Sequence, residues 1–377
     1  MESERHRFHE GSRREAWMRW TQIVEGGDSA ANELIQRLGP VEALVAVRQE
    51  RGLTAAERRS LPRWRQRLCG THPLNMAALA DRGIHLLCPD DEHWPIGLAS
   101  LGAQIPIALW VRGSVNALSH RSNIALVGSR SATPAGLHIA RDFSYELAAD
   151  FTVISGGAFG IDAQVHQGAV LAEKPTVVVF AGGVDEYYPR ANAQIFNEVL
   201  ACGGAIVSES APGAKPYRFR FLARNRIIAA LSAATVVVEA PIRSGALSTA
   251  RHAMRIGREV GAVPGPIDQP GCVGSNELIR HGAHLVASVA HIREMVAPIG
   301  QCLDGVDLFE LAEDDEVTVE QRRVFDALSI RRSRPAQVIA THSGMSLRQT
   351  IGALGALALR GCVEERDGQW IRITLHL

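Results

Sequence analysis

The sequence predicts an α/β protein built on a Rossmann-like, doubly wound, mostly parallel sheet, flanked by a small helical N-terminal domain and a C-terminal winged-helix domain. Three observations point there. Eight short β-rich runs alternate with helix-length segments between about residues 84 and 290. Two of these runs, TVVVFAGG and ATVVVEA, are apolar on both faces, as expected of strands covered by helices on each side. Glycine-rich junctions follow several runs, at the strand ends where an open α/β sheet takes its ligands.

Over residues 1–80, apolar residues recur with helical period at Leu34, Ile35 and Leu38, then at Val41, Leu44, Val45 and Val47, with Gly39 and Pro40 between the two sets. Short helices joined by glycine turns serve either as a packing or dimerisation module or as a contact to a DNA backbone. The sheet domain, residues 81–300, contains the runs Ile84 to Cys88, Ile107 to Val111, Ile124 to Val127, Thr152 to Ser155, Thr176 to Ala181, Ala205 to Ser208, Thr235 to Glu239 and Val260 to Val263. The run from Ala262 to Asp268 is expected to close the sheet edge, and a short helix is expected over Gly274 to Ala283. Residues 301–317 read as an acidic linker: Gln301 to Thr318 holds seven acidic residues and no basic one. Residues 318–377 show helix patterns at Glu320 to Ser329, Pro335 to His342 and Ser343 to Gly361, then a hairpin turning at Asp367 and Gly368. Helix, helix, helix, hairpin is the winged-helix order. Its third helix is rich in Ala, Leu and Gly, with Arg348 alone able to reach a groove, which favours protein contact over DNA.

Composition narrows the function classes. Of 377 residues, 46% are apolar, and no apolar run approaches the roughly 20 residues of a membrane-spanning helix. The charged N-terminus offers no secretory h-region, so a cytoplasmic protein is expected. Six scattered cysteines without CxxC spacing read as isolated buried thiols. Forty basic residues balance forty acidic ones, so any polyanion site must be local. Only Lys174 and Lys215 are lysines; the remaining cations are arginines, suited to bidentate phosphate contact. No P-loop, HExxH or GxSxG motif occurs, so no metal, cofactor or catalytic constellation is expected.

Four segments have the chemistry of an anion site. At VGSR and beyond, Gly128, Ser129, Arg130 and Thr133 join a strand end to a helix start, where unpaired N–H donors and the helix dipole favour an anion. An ordinary helix cap fits the same residues. SGGAFGID repeats the junction with Ser155, Gly156, Gly157 and Gly160. Asp162 and His166 follow at i,i+4 spacing, read as a stabilising helix pair. KPYRFRFLARNR interleaves Lys215, Arg218, Arg220, Arg224 and Arg226 with rings, next to Asn225, a pattern that holds phosphates while bases stack. A solvated arginine loop is the plain alternative. Ser244 and Gly245 open a third helix start, and Glu239 before them is expected to orient Arg226 or another guanidinium.

The ordered set VGSRxxT, SGGAxGID, AGGVDxxYP, Ser208–Glu209, RNRIIAxLS, VVEAxxxSGALxTA and VPG resembles the DNA-processing protein A family, also called DprA or Smf, over roughly residues 85–290. The resemblance implies an extended Rossmann-like fold and a homodimer that binds and protects single-stranded DNA. It also implies help in loading the RecA recombinase during natural transformation. It assigns binding to Gly128, Ser129, Arg130, Ser155, Gly156, Gly157, Arg224, Asn225 and Arg226. Two departures stand out: Phe159 replaces an arginine common in SGxAxGID, and Leu222 replaces the usual proline before RNR. Two other classes compete. One is a phosphoribohydrolase of the lysine-decarboxylase-like type, although its PGGxGTxxE signature is absent. The other is an adaptor whose sheet domain serves only self-association.

Overall fold

The computed structural model describes residues 2–118, 123–297, 318–329 and 332–373, with side chains from Arg13 onward. It divides into two compact units, Met1–Leu303 and Asp304–Leu377. The acidic stretch 301–317 lies outside the described residues.

The first unit opens with helices α1 (Glu2–Ile23), α2 (Ser29–Leu38), α3 (Pro40–Gln49), α4 (Ala55–Gly70) and α5 (Met76–Ala80). Local chemistry sets their ends. Asp28 caps α2, Pro40 opens α3 at its first position, and Thr54 with Glu57 forms a capping box on α4. Strands β1 (Ile84–Leu87), β2 (Leu109–Gly113), β3 (Asn123–Val127), β4 (Thr152–Ser155), β5 (Thr176–Val179), β6 (Ala205–Ser208), β7 (Ala234–Val237), β8 (Glu259–Ala262) and β9 (His284–Leu285) form one sheet in the order β1-β2-β6-β5-β4-β3-β7-β8-β9. The pairs β1–β2 and β2–β6 are antiparallel and the rest are parallel. The expectation of a mixed α/β fold with a mostly parallel sheet holds. The sheet edge is a correction: β8, which contains Val260, is not the edge, because His284 and Leu285 add one more parallel strand beyond it.

Helices α6 (Pro134–Leu147), α7 (Ile161–Leu171), α8 (Ala193–Ala201), α9 (Arg218–Ala230), α10 (Gly245–Arg255), α11 (Val273–Arg280) and α12 (Val289–Val296) follow the strands. Alternation along β3 divides the core between the faces. Ile124 and Leu126 pack with Ile161 and Val165 of α7, whereas Ala125 and Val127 pack with Ile227 of α9 and Leu247 of α10. The N-terminal helices share a core with β2, β5 and β6 through Trp20, Trp64, Trp110, Val178 and Ile206. Trp110 donates its Nε1 proton to Thr21 at 3.1 Å, a buried hydrogen bond between sheet and helical layer. Of the thiols, Cys88 and Cys272 are buried but Cys69 is exposed, against the sequence expectation.

The second unit packs α13 (Val319–Ala327), α14 (Ala336–Ser343) and α15 (Leu347–Leu359) on a three-stranded sheet. Its strands β10 (Arg334–Pro335), β11 (Val363–Arg366) and β12 (Gln369–Arg372) run in the order β10-β12-β11. Asp367 and Gly368 turn the hairpin with φ of 52° and 72°, the positive values that a two-residue turn of this hand requires.

Candidate functional site

The strand order reverses at β3, with β4 on one side and β7 on the other, and a cavity of about 590 Å³ lies at the carboxyl ends of these strands. Its walls come from the loop after β3 (Gly128, Ser129, Arg130), from α9 (Arg218, Phe221, Arg224, Asn225) and from the start of α10 (Arg243, Ser244, Gly245). Asp162 is the one carboxylate among its lining residues, against four arginines.

The three glycine junctions differ in what fills them. At the start of α6, Thr133 donates its backbone N–H to both Glu239 oxygens at 3.1 Å and its hydroxyl to Oε2 at 2.6 Å. A buried carboxylate of the protein itself thus occupies the first anion cradle. Two expectations change. Glu239 does not orient Arg226, and the start of α6 is not open to a ligand. The 106 residues that separate Glu239 from Thr133 conceal this cap from any local reading.

At the second junction Asp162 accepts from the Ala158 N–H at 3.3 Å, beside the Arg224 guanidinium. His166 turns away and bonds Thr176 Oγ1 at 3.0 Å, so the expected pairing of Asp162 with His166 is not formed. Burial pushes the Asp162 carboxyl up, with Arg224 pulling the other way. Burial lowers the Arg224 guanidinium to about 10, with Asp162 opposing, and Arg224 donates to Val179 O at 2.7 Å. Gly156 is required here, because a Cβ would overlap that guanidinium. The third junction carries only a short cap, the Ser244 hydroxyl accepting from the Ala246 N–H at 3.2 Å, and keeps free space beside it. A Cβ on Gly245 would meet nothing within 4 Å, and Asn225 fixes this loop by donating to Gly245 O at 3.1 Å.

The arginine segment forms the first turns of α9 rather than a loop, which sends its charges to different neighbours. Arg218 and Arg224 face the cavity. Arg220 pairs with Glu25 at 2.8 Å, and Arg226 is buried against Glu209 at 2.6 Å. Burial raises Glu25, but Arg220 and Arg67 outweigh it and hold the carboxyl below its usual range. Of the residues named from sequence, the fold gathers Gly128, Ser129, Arg130, Arg218, Arg224, Asn225, Ser244, Gly245 and Asp162 at one cavity. Thr133, Ser155, Gly157, Gly160, Arg220 and Arg226 are spent on structure: Ser155 donates to Leu126 O, and Gly160, at φ 76°, lets α7 pack against the Ser129 and Arg130 carbonyls.

Sequence reasoning missed Arg243 and Tyr188, whereas Phe221 belongs to the rings it read as a stacking surface. Tyr188 and Phe221 sit 5.8 Å apart at 55°, and the Arg130 guanidinium lies 5.0 Å over the Phe221 ring. Tyr188 lies outside KPYRFRF, and no local pattern ties it to the arginine segment. Phe159 is half exposed and stands outside the cavity lining. Among the described residues, no helix is long and apolar enough to cross a membrane, and no group of three His, Cys, Asp or Glu is placed to hold a metal ion.

Known proteins resemble this chain in sequence and in fold. The family model for DNA recombination-mediator protein A matches residues 85–297. A putative DNA processing protein DprA of Mycobacterium tuberculosis is 37% identical, covering 94% of this chain and 93% of that protein. The X-ray structure of DNA processing protein A from Streptococcus pneumoniae matches with a TM-score of 0.60 at 27% identity, covering 74% of this chain and 97% of that one. DNA processing protein A from Helicobacter pylori, whose structure concerns its single-stranded DNA binding mode, matches with a TM-score of 0.51 at 27% identity, covering 56% and 95%.

Proposed function

Because the chain belongs to the DNA recombination-mediator protein A family, we propose that it is a non-catalytic single-stranded DNA-binding protein of DNA processing and recombination. The observation that carries this reading is the meeting of Arg130, Arg218, Arg224 and Arg243 with the start of α10 in one cavity. Arginines and helix-start donors hold phosphate. The Tyr188–Phe221 wall offers ring faces to bases, which a duplex keeps stacked and a single strand releases. The relative from Helicobacter pylori, with its single-stranded DNA binding mode, supports the same ligand.

The binding residues are then Gly128, Ser129, Arg130, Arg218, Arg224, Asn225, Ser244 and Gly245, joined by Arg243 and Phe221. In this reading the protein protects incoming strands as a cytoplasmic homodimer and delivers them to the RecA recombinase during transformation. The family's recombination-mediator description supports the delivery step. Binding of single- and double-stranded oligonucleotides across a salt series tests the core of it. Single strands should be preferred, and Arg130→Ala should flatten the slope of log affinity against log salt by about 0.7, the value of a single phosphate neutralised on a single strand. Equal affinity for duplex and single strand would overturn the proposal. Delivery is read separately, as a shorter lag before RecA assembles on the strand, and an unchanged lag removes that part.

A further inference from the structure

The cavity at Arg130 does not end at α9. It shares Tyr188, Pro216 and Phe221 with a second depression, of about 290 Å³, that Lys215 borders beside the Gly182–Gly183 turn. This one shares Gly213 and Ala214 with a third, of about 280 Å³, which reaches Glu25 and Arg220. The third shares Glu25, Gly26, Gly27 and Asp28 with a fourth, of about 440 Å³, walled by Arg59, Ser60 and Arg63 of α4. Shared lining residues therefore set the four side by side in a row, from the start of α10 past the carboxyl ends of β5 and β6 to the N-terminal helices, a row that a strand could follow as a groove.

The far end of the groove is basic in a regular way. Arg59, Arg63 and Arg67 recur every four residues, so neighbours are about 6 Å apart along the axis and share one face of α4. Arg59 is exposed and has no ion-pair partner among the described residues. Arg63 pairs with Asp28 at 2.7 Å while half exposed, and Arg67 meets Glu25 at 2.7 Å. Glu25 also binds Arg220, which ties the arginine row to the helix that carries Arg218. Residues 37–67 hold eight arginines and three glutamates in a chain of zero net charge, the kind of local excess that a polyanion meets as an attractive surface. Of the carboxylates lining the second to fourth depressions, Glu25, Asp28 and Glu209 are each held by an arginine, Asp185 accepts from the Gly213 N–H at 2.9 Å, and Glu186 is exposed. A structural role accounts for Arg63 and Arg67, whose charges are paired, while Arg59 presents its charge to solvent at the end of the row.

We propose that a nucleic-acid strand held at Arg130 continues along this groove onto the arginine row of α4, which makes the N-terminal helices part of the binding surface. This rests on reading the Arg130 cavity as a single-strand site. The phosphates of the strand reach Arg59 and Arg63 only when it is long enough to span the groove. Short strands bind at the cavity alone, and affinity therefore rises with length beyond the additional ways of placing a longer strand.

The test measures binding of the full chain to oligothymidylates of about 6 and about 20 nucleotides, bracketing the site sizes of single-strand binders. For Arg59→Glu, and separately for Arg59→Ala with Arg63→Ala, the ratio of long- to short-strand affinity should collapse towards that of a strand held at one region. The double variant should also flatten the long-strand salt slope by about 1.4, for two phosphates at 0.7 each. A ratio and slope equal to wild type in both variants would overturn the proposal, with the cavity reading intact. Failure of wild type to bind the short strand would instead remove the cavity reading, and this extension with it.

Discussion

Two buried side chains show how much a single proton decides here. Thr176 donates its only hydroxyl proton to Val153 O at 2.6 Å, so the 3.0 Å contact with His166 must be donated by Nδ1, which leaves Nε2 bare and without a partner. Burial, reinforced by the Arg224 charge, lowers His166 to about 3, whereas in the unfolded chain it titrates near its ordinary value of about 6.5. Between these values the unfolded chain binds more protons. Stability is therefore full above about pH 6.5 and falls on acidification, by up to about 1.4 kcal/mol per pH unit. Asp162, raised by burial, acts with the opposite sign in a window that opens just above the ordinary carboxylate range. Urea midpoints at about pH 4.5 and about pH 7.5 should differ less in His166→Asn than in wild type, and parallel decreases would refute the assignment. Glu239 yields a second outcome. Glu239→Ala strips Thr133 of its acceptor and the start of α6 of its charge, costing about 1–3 kcal/mol in chemical denaturation. A smaller effect would mean that water caps α6 equally well.

At the scale of elements, α9 both builds the cavity and locks it to its surroundings. Arg226 and Glu209 are buried together, with side chains 3% and 12% exposed, and Arg226 also donates to Gln104 O at 2.8 Å. Arg226→Ala strands a carboxylate in the interior and should cost about 3–5 kcal/mol, whereas the solvent-facing Arg130→Ala should change stability by less than about 0.5 kcal/mol. Denaturant midpoints of the two variants check the contrast; similar midpoints would show that the pair with Glu209 does not hold α9 to its surroundings. This division of labour is where sequence reading stops. That Asn225 and Arg226 sit on rigid structure was legible from the apolar run IIAALS behind them. Which arginine would be neutralised was not, since Glu25 lies 195 residues from Arg220 and only the tertiary fold brings them together. The central strands were legible because Val- and Ile-rich runs buried on both faces, as in β3 to β7, have few other solutions. β9 was not, because His284 and Leu285 are two exposed residues, held by main-chain pairing and by a contact of His284 with Glu259 at 2.8 Å that no local pattern announces. The glycine junctions were visible as places for an anion, but not which of them the protein fills with its own carboxylates.

For the whole molecule, the decisive fact is that the second unit has a hydrophobic core of its own, centred on Val324, Phe325, Ile339, Leu354 and Leu357. The first unit contains the entire cavity and the groove that leads from it. A core of this size supplies only a few kcal/mol, because a unit this small buries too little surface to offset its chain entropy by more. Phe325 is 2% exposed, and truncating it to alanine removes about 3–5 kcal/mol, enough to unfold that unit. Calorimetry of full-length Phe325→Ala should therefore lack one transition and keep the other, while the affinity for a short single strand stays at the wild-type value. A single transition that moves as a whole, or a weakened short-strand affinity, would show that the C-terminal unit and the sheet act as one cooperative body and that the strand site depends on both.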